Sequence, residues 1–253
     1  MAAVEQHKLG TICWVDLTTS DPDAARRFYA ELFGWSFSPS QAQPQHSMCQ
    51  LAGQDVAGIG PLPPGGNPHA AWNVYFTVES LEDAAGRVAG AGGQVTAAPI
   101  DVPSAGRMGF CLDPAGATFG LWQPQGHPGA RLVAEPNTMF WFELNSRDGR
   151  RSSQFYEQVF RLTPQTEAGA PSEYTTLYQG KQAAAGILQM PPNELPSHWM
   201  VYFAVSDTDT SISRATASGA TLRVSPIDTP NGRVAFLSDP QGASFALITA
   251  PSD

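Results

Sequence analysis

The sequence contains one segment twice, as WVDLTTSDPDAARRFYAELFGW at residues 14–35 and as WFELNSRDGRRSSQFYEQVFRL at residues 141–162. The aromatic residues that open each copy and the Phe-Tyr pair inside it keep the same spacing, at an offset of 127 residues. Self-similarity at a fixed offset is the mark of an internal duplication.

Outside this segment the duplication continues over almost the whole chain. The same offset relates the motif Trp-x-Val-Tyr-Phe at residues 72–76 to that at residues 199–203, and a slip of one residue relates two Asp-Pro-x-Gly motifs, at 113–116 and 239–242. We therefore predict two copies of one domain. They span residues 7–123 and 137–250, and a linker rich in Gly and Pro spans 124–136.

Length and composition describe a globular protein and exclude several classes of partner. The 253 residues suffice for two small domains, and the formal net charge of −9 opposes binding to nucleic acid. The sequence has no apolar run long enough to span a membrane, and its first residues lack the apolar stretch of a signal peptide. Three cysteines in apolar surroundings are typical of a reducing compartment. We expect a cytoplasmic protein that binds neither nucleic acid nor membranes.

Hydrophobic periodicity predicts two modules of the form βαβββ in each copy. A β-type run at Ile12–Leu17 precedes a helix that has N-cap candidates at Thr19, Ser20 and Asp21, and that ends at Gly34. A second helix begins at a capping box, Ser80–Asp83, and strands are predicted at 95–100, 108–112 and 118–122. The apolar face of the first helix comprises Ala25, Phe28, Tyr29 and Leu32. The predicted fold class is α+β, with four βαβββ modules.

These motifs, in this order, resemble the vicinal oxygen chelate superfamily, which includes glyoxalase I, extradiol dioxygenases and the fosfomycin and bleomycin resistance proteins. The features that carry the resemblance are Ser/Thr-Asp-x-x-x-Ala-x-x-Phe-Tyr after the first strand, the following Phe-Gly-Trp, and the Asp-Pro-x-Gly hairpin before the last strand. The tandem form is similar to a two-domain actinobacterial group often labelled glyoxalase-like or hydroxylase. The resemblance implies two tandem glyoxalase-like domains, each with a cupped mixed sheet.

The resemblance also implies a divalent metal in each cup, held by His, His and Glu from three strands. Counted from the motifs, those positions carry residues that are poor metal ligands: Trp14, Asn73 and Gly120 in the first copy, and Trp141, Met200 and Ala246 in the second. We therefore predict no cofactor, and a divalent metal only through a non-standard site such as His46 with Asp16. No His residues are spaced as metal ligands, so the alternative for His46 is an ordinary histidine in a strand. His7 and His127 lie in terminal or linker sequence and are expected to be solvated.

Strand alternation places aromatic residues and one carboxylate per domain on the same face as these positions. A general base is predicted at Asp16 or Glu143, against the alternative that the acids only bond neighbouring hydroxyl groups or arginine. Aromatic walls with a few polar groups are typical of a small-molecule pocket, whereas the same residues could simply fill the core. The predicted ligand-binding residues are Trp14, Asn73, Tyr75, Arg107, Trp122, Trp141, Tyr202 and Arg233. For the two arginines the alternative is a salt bridge over the sheet edge.

The sequence favours a protein that binds a small aromatic or amphipathic molecule without the usual metal, as a monomer or homodimer. The alternative is a divergent lyase or dioxygenase of the same superfamily, with a displaced metal site or metal-free acid–base catalysis. A third hypothesis is that one or both cups are filled and the duplication serves assembly.

Overall fold

The computed structural model describes residues 3–40, 45–63, 65, 68–167, 173–191 and 195–250. The helices are α1 (Pro22–Phe33), α2 (Leu81–Gly90), α3 (Gly149–Phe160) and α4 (Thr208–Ala217). The strands of the first half are β1 (Ile12–Thr19), β2 (Ser36–Pro39), β3 (Ser47–Leu51), β4 (Gln54–Pro61), β5 (Ala71–Thr77), β6 (Gln94–Val95), β7 (Ile100–Val102), β8 (Gly106–Leu112) and β9 (Thr118–Pro124). Those of the second half are β10 (Met139–Ser146), β11 (Thr163–Glu167), β12 (Tyr174–Gln179), β13 (Gln182–Gln189), β14 (His198–Ala204), β15 (Thr221–Thr229), β16 (Gly232–Ser238) and β17 (Ser244–Thr249). None of the described helices is long and apolar enough to cross a bilayer.

Each half of the chain forms one mixed sheet. The first has the order β2-β3-β4-β1-β5-β9-β8-β6, with β7 beside β8, and the second has the order β11-β12-β13-β10-β14-β17-β16-β15. Within a module the first and last strands are parallel, as in β1 with β4 and β5 with β9. The two modules of a domain join through an antiparallel pair, β1 with β5 or β10 with β14. The α+β fold with four βαβββ modules in two tandem domains is confirmed.

The first helix forms as its sequence predicts. The Asp21 side chain accepts a hydrogen bond from the amide of Ala24 at 2.9 Å, and Pro22 occupies the first turn, where a missing N–H costs nothing. The helix ends at Gly34, whose φ of 71° lies in the left-handed region that favours glycine. Its apolar face, which includes Phe28 and Leu32, is buried.

The predicted strand at 95–100 is instead two short strands, β6 and β7, that both pair with β8. Val95 and Ile100 are 37% and 42% exposed, so their apolar character does not mark a core strand here. The short edge strand β2, which the sequence did not reveal, pairs antiparallel with β3.

The two domains share one buried interface, which is formed by helices and by direct contacts between the central strands β5 and β14. Tyr29 of α1 donates a hydrogen bond to Asp239 of the second domain at 3.1 Å and accepts one from the Trp72 indole at 3.0 Å. The duplication repeats this arrangement with Tyr156, Asp113 and Trp199. Each aspartate is the first residue of an Asp-Pro-x-Gly hairpin, so this motif both closes its own turn and joins the domains.

The linker lies against the first domain rather than in solvent. The amide of Ala130 donates to the Cys13 carbonyl at 2.8 Å, and that of Arg131 donates to the Asp55 carbonyl at 2.7 Å. The expectation that His7 is solvated is wrong, since its Nε2 is 2.9 Å from the carbonyl oxygen of Ala130 and burial lowers its pKa.

Candidate functional site

The first sheet curves around a cavity of about 400 Å³, which we call cup 1. Its position follows from strand alternation, because residues two apart on β1 and β9 face the same side. The side chains that shape it are Trp14, Asp16, His46, Tyr75, Trp122 and His127.

A partly buried carboxylate, Asp16, lies in the wall of cup 1. Asn73 donates to its Oδ1 and Tyr75 donates to its Oδ2, both at 2.9 Å. Burial raises the pKa of Asp16, while the two hydrogen bonds and the nearby His46 act in the opposite direction. The carboxyl is therefore held in place by neutral donors in a position from which it can accept or release a proton.

Two histidines face cup 1. The pKa of His46 is lowered by its burial and raised by Asp16. His127, which was expected to be solvated, instead packs edge-on against Trp14 with ring centroids 4.6 Å apart, and burial lowers its pKa. Among the described residues, Nδ1 of His46 and Nε2 of His127 are buried without a hydrogen-bond partner. No periodicity in the linker could have revealed His127, because the linker is irregular.

The second sheet encloses a larger cavity of about 830 Å³, which we call cup 2. Its carboxylate is Glu143, which is 8% exposed and accepts a hydrogen bond from Tyr202 at 2.9 Å. Burial raises the pKa of Glu143, whereas hydrogen bonds from Tyr202 and Tyr174 lower it. Trp141 in turn donates to the Tyr174 hydroxyl at 3.1 Å.

The two cups differ at one equivalent position. Strand register aligns Met48 with Gly58 in the first sheet and Thr176 with Gly186 in the second, so Tyr174 takes the place of His46. The carboxylate of cup 1 therefore has a basic neighbour, and that of cup 2 has a phenol. Sequence reasoning missed Tyr174, although extending the repeat through the third strand of each module could have found it.

Three of the predicted ligand-binding residues lie outside the cavities. Asn73 donates a hydrogen bond to the carboxylate of Asp16 and does not itself line the cavity. Arg107 forms ion pairs with Glu82 and Asp101, at 2.7 and 3.0 Å. The second arginine, Arg233, is likewise held by Asp209 and Asp228, so both show the salt-bridge alternative.

Removal of the Tyr75 hydroxyl is expected to raise the pKa of Asp16 further, because the phenol is one of the groups that lower it. The test is a ¹³C-carboxyl NMR titration of Asp16 in the native protein and in Tyr75→Phe. Tyr202→Phe serves as the matched control, since it should raise the pKa of Glu143 and leave that of Asp16 unchanged.

The sign of the linked stability effect follows. Because the folded pKa of Asp16 lies above the unfolded value of about 3.9, the folded state binds this proton more tightly. The contribution of Asp16 to stability is therefore present at low pH and is lost as pH rises through the folded pKa. A native Asp16 that titrates near 4, with no response to Tyr75→Phe, would contradict this account.

In the first domain, the residues at the metal-ligand positions that the resemblance implies are poor ligands for a divalent cation. Trp14 has no ligand atom, and the ring of Tyr75 lies directly over Gly120, in the space that a side chain there would need. Within the described residues, no group of three His, Cys, Asp or Glu side chains is arranged to hold a metal ion.

Comparison with known sequences identifies both halves. The family described as "Glyoxalase/Bleomycin resistance protein/Dioxygenase superfamily" matches residues 11–121, and "Glyoxalase-like domain" matches residues 141–248. A Mycobacterium tuberculosis protein named "Putative glyoxylase CFP32" is 41% identical over 251 residues and 96% of each chain. The anthracycline biosynthesis protein DnrV of Streptomyces peucetius is 32% identical over 256 residues, which cover 94% of this chain and 93% of DnrV.

Solved structures with the same fold include a Mn(II)-bound glyoxalase and a dioxygenase. The Mn(II)-bound glyoxalase from Novosphingobium aromaticivorans superimposes with a TM-score of 0.68 at 16% identity, covering 96% of this chain and 82% of its own. The 2,2',3-trihydroxybiphenyl 1,2-dioxygenase from Sphingomonas wittichii strain RW1 has a TM-score of 0.66 at 13% identity, covering 96% and 91%. At identities this low, the structural matches show only that the fold is shared. The family assignment comes from the sequence matches, which cover both halves of the chain. The chain belongs to the glyoxalase/bleomycin resistance protein/dioxygenase superfamily and carries one such domain in each half.

Proposed function

We propose that the chain binds a small aromatic or amphipathic molecule in its cups, without the metal used elsewhere in the superfamily. The observation that carries this proposal is that both cups combine aromatic walls with a carboxylate that accepts a hydrogen bond from a tyrosine of the wall. Volumes of about 400 and 830 Å³ lie within the range of ordinary small-molecule sites. Indole and phenol rings bind flat aromatic surfaces, and the carboxylate orients a polar group.

The names of relatives are compatible with such a ligand. DnrV is named for anthracycline biosynthesis, and anthracyclines are polycyclic aromatic compounds. The glyoxalase and dioxygenase likenesses concern proteins that act on small molecules, which supports the cups as the place of binding.

The cysteines support a cytoplasmic setting for this binding. Cys13, Cys49 and Cys111 are free and buried, and burial raises the pKa of Cys111 to about 11. Thiols in this state are inert core residues and suit a reducing compartment.

Removal of the Trp14 or the Trp141 side chain is expected to remove one of two binding sites. Isothermal titration with 9-anthracenemethanol should give two sites in the native protein and one in Trp14→Ala or Trp141→Ala, because each variant loses an aromatic wall. Each variant is the other's control, and thermal unfolding establishes that both are folded. If the native protein does not bind this probe, or if neither variant changes the stoichiometry, the proposal fails.

A second candidate function, metal-free proton transfer in cup 1, is favoured by one observation. Asp16 lies near His46, and the imidazole nitrogens at His46 Nδ1 and His127 Nε2 are buried without partners among the described residues. A general base beside neutral imidazoles could move a proton on a bound substrate. If the protein converts a bound substrate in the presence of a metal chelator, and Asp16→Asn abolishes that conversion, the result would favour this activity over binding alone.

A further inference from the structure

Cup 2 contains a buried carboxylate that the protein leaves without a positive partner. Among the described residues that line the cavity, Glu143 is the only one with a charged side chain. In the described part of the chain, no Lys, Arg or His forms an ion pair with it. Its neighbours Tyr202 and Tyr174 donate hydrogen bonds but bring no charge. A buried carboxylate in this state is costly, and a cation would offset the cost.

The rest of the wall is of the kind that binds organic cations. Several aromatic residues line the same cavity as the carboxylate, and Tyr202 and Phe236 meet edge-on with ring centroids 5.8 Å apart. The aromatic members of the wall are Phe140, Trp141, Tyr174, Tyr178, Tyr202 and Phe236. Ring faces attract ammonium groups, and the attraction increases when water is excluded.

Comparison of the two cups supports the same conclusion. In cup 1 the position that faces the carboxylate carries His46, whose positive form would lower the pKa of Asp16. In cup 2 the equivalent position carries Tyr174, a neutral residue. Cup 1 thus has a residue beside its carboxylate that can take up a positive charge, whereas cup 2 has none among its described lining residues and leaves that role to a ligand.

We propose that cup 2 selects an organic cation, a protonated amine on an apolar aromatic body, with Glu143 as its counter-ion. The inference rests on the proposed function, since it specifies the ligand class for one of the two cups. It excludes carboxylates and phosphates from cup 2, because no described lining residue could neutralise them.

Three probes of the same size and different charge test this inference. They are 9-(aminomethyl)anthracene, 9-anthracenemethanol and anthracene-9-carboxylate, titrated calorimetrically at 150 mM salt, which screens the net charge of −9 over distances beyond about 8 Å. We expect cup 2 to bind the amine more tightly than the alcohol and the alcohol more tightly than the carboxylate. In Glu143→Gln the amine should bind at least about tenfold more weakly, while the alcohol should change little.

A matched control removes one exposed carboxylate from the same domain. Glu157 lies on the exposed side of α3, so Glu157→Gln should leave all three affinities unchanged. Equal affinity of the native protein for amine and alcohol would overturn the inference and leave the proposed function standing. A preference for the amine that persists in Glu143→Gln would also overturn it. If no probe binds at all, the proposed function itself fails.

Discussion

Replacement of Phe76 by alanine is expected to lower the free energy of unfolding by about 3–5 kcal/mol, which is the usual cost of truncating a buried phenylalanine. Phe76 is 1% exposed and stacks on Phe160 of the other domain, with ring centroids 4.2 Å apart and planes 11° apart. It also meets Trp199 at 5.6 Å. The substitution would therefore open a cavity in the interface between the domains as well as in the first sheet.

Thermal unfolding followed by circular dichroism and tryptophan fluorescence checks this prediction. Each kcal/mol should lower Tm by about 2–4 °C in a chain of this size. Phe37→Ala is the matched control, because Phe37 is half-buried on the short strand β2 and should cost less. Since the core is shared, we expect both probes to report a single transition. Two separate transitions, only one of which responds to Phe76→Ala, would show that the domains fold independently.

The local elements were predictable because their signals lie within a few residues. The Asp21 cap, the apolar period of α1 and the Gly34 terminus all occur in one short segment, and each specifies backbone geometry directly. Because the chain contains the same motifs twice, each half supports the prediction made for the other. By contrast, the exposed Val95 and Ile100 show that an apolar strand pattern at a sheet edge carries little information about burial.

The partner of each buried face was not predictable. The period of α1 shows that Tyr29 is buried, but not that its hydroxyl reaches Asp239 in the other half of the chain. One-dimensional patterns describe which side of an element is apolar and leave open what covers it. A long-range contact of this kind depends on how the two domains dock.

The candidate site was predictable where it is built from strands. Alternation on β1 correctly placed Trp14 and Asp16 in one cavity. It could not place His127, because that residue reaches cup 1 from an irregular linker. Arg107 illustrates the opposite error: a guanidinium beside a hairpin suggests anion binding, but exposed carboxylates nearby already pair with it.

A carboxylate introduced at Gly120, the predicted position of the third metal ligand, is not expected to create a metal site. A Cβ atom there would fall on the Tyr75 ring, which is 3% exposed and anchored through its hydroxyl to Asp16. Even Gly120→Ala should cost about 1–3 kcal/mol through overpacking, and Gly120→Glu should cost more because it also buries an unpaired charge. Chemical denaturation measures the loss of stability, and metal analysis after equilibration with Mn²⁺ measures uptake.

A matched glycine and a second substitution show whether Tyr75 is the cause. Gly109 lies in β8, where a Cβ atom would be 3.3 Å from a Leu81 methyl group, so Gly109→Ala should be milder than Gly120→Ala. If the Tyr75 ring is the obstacle, Gly120→Glu should cost less in a Tyr75→Ala background than in the native protein, and the difference is the coupling energy of the pair. A Gly120→Glu variant that keeps native stability and binds stoichiometric Mn²⁺ would mean that this tyrosine does not fill the metal position. The proposal that the first domain binds its ligand without a metal would then no longer be supported by the position of the Tyr75 ring.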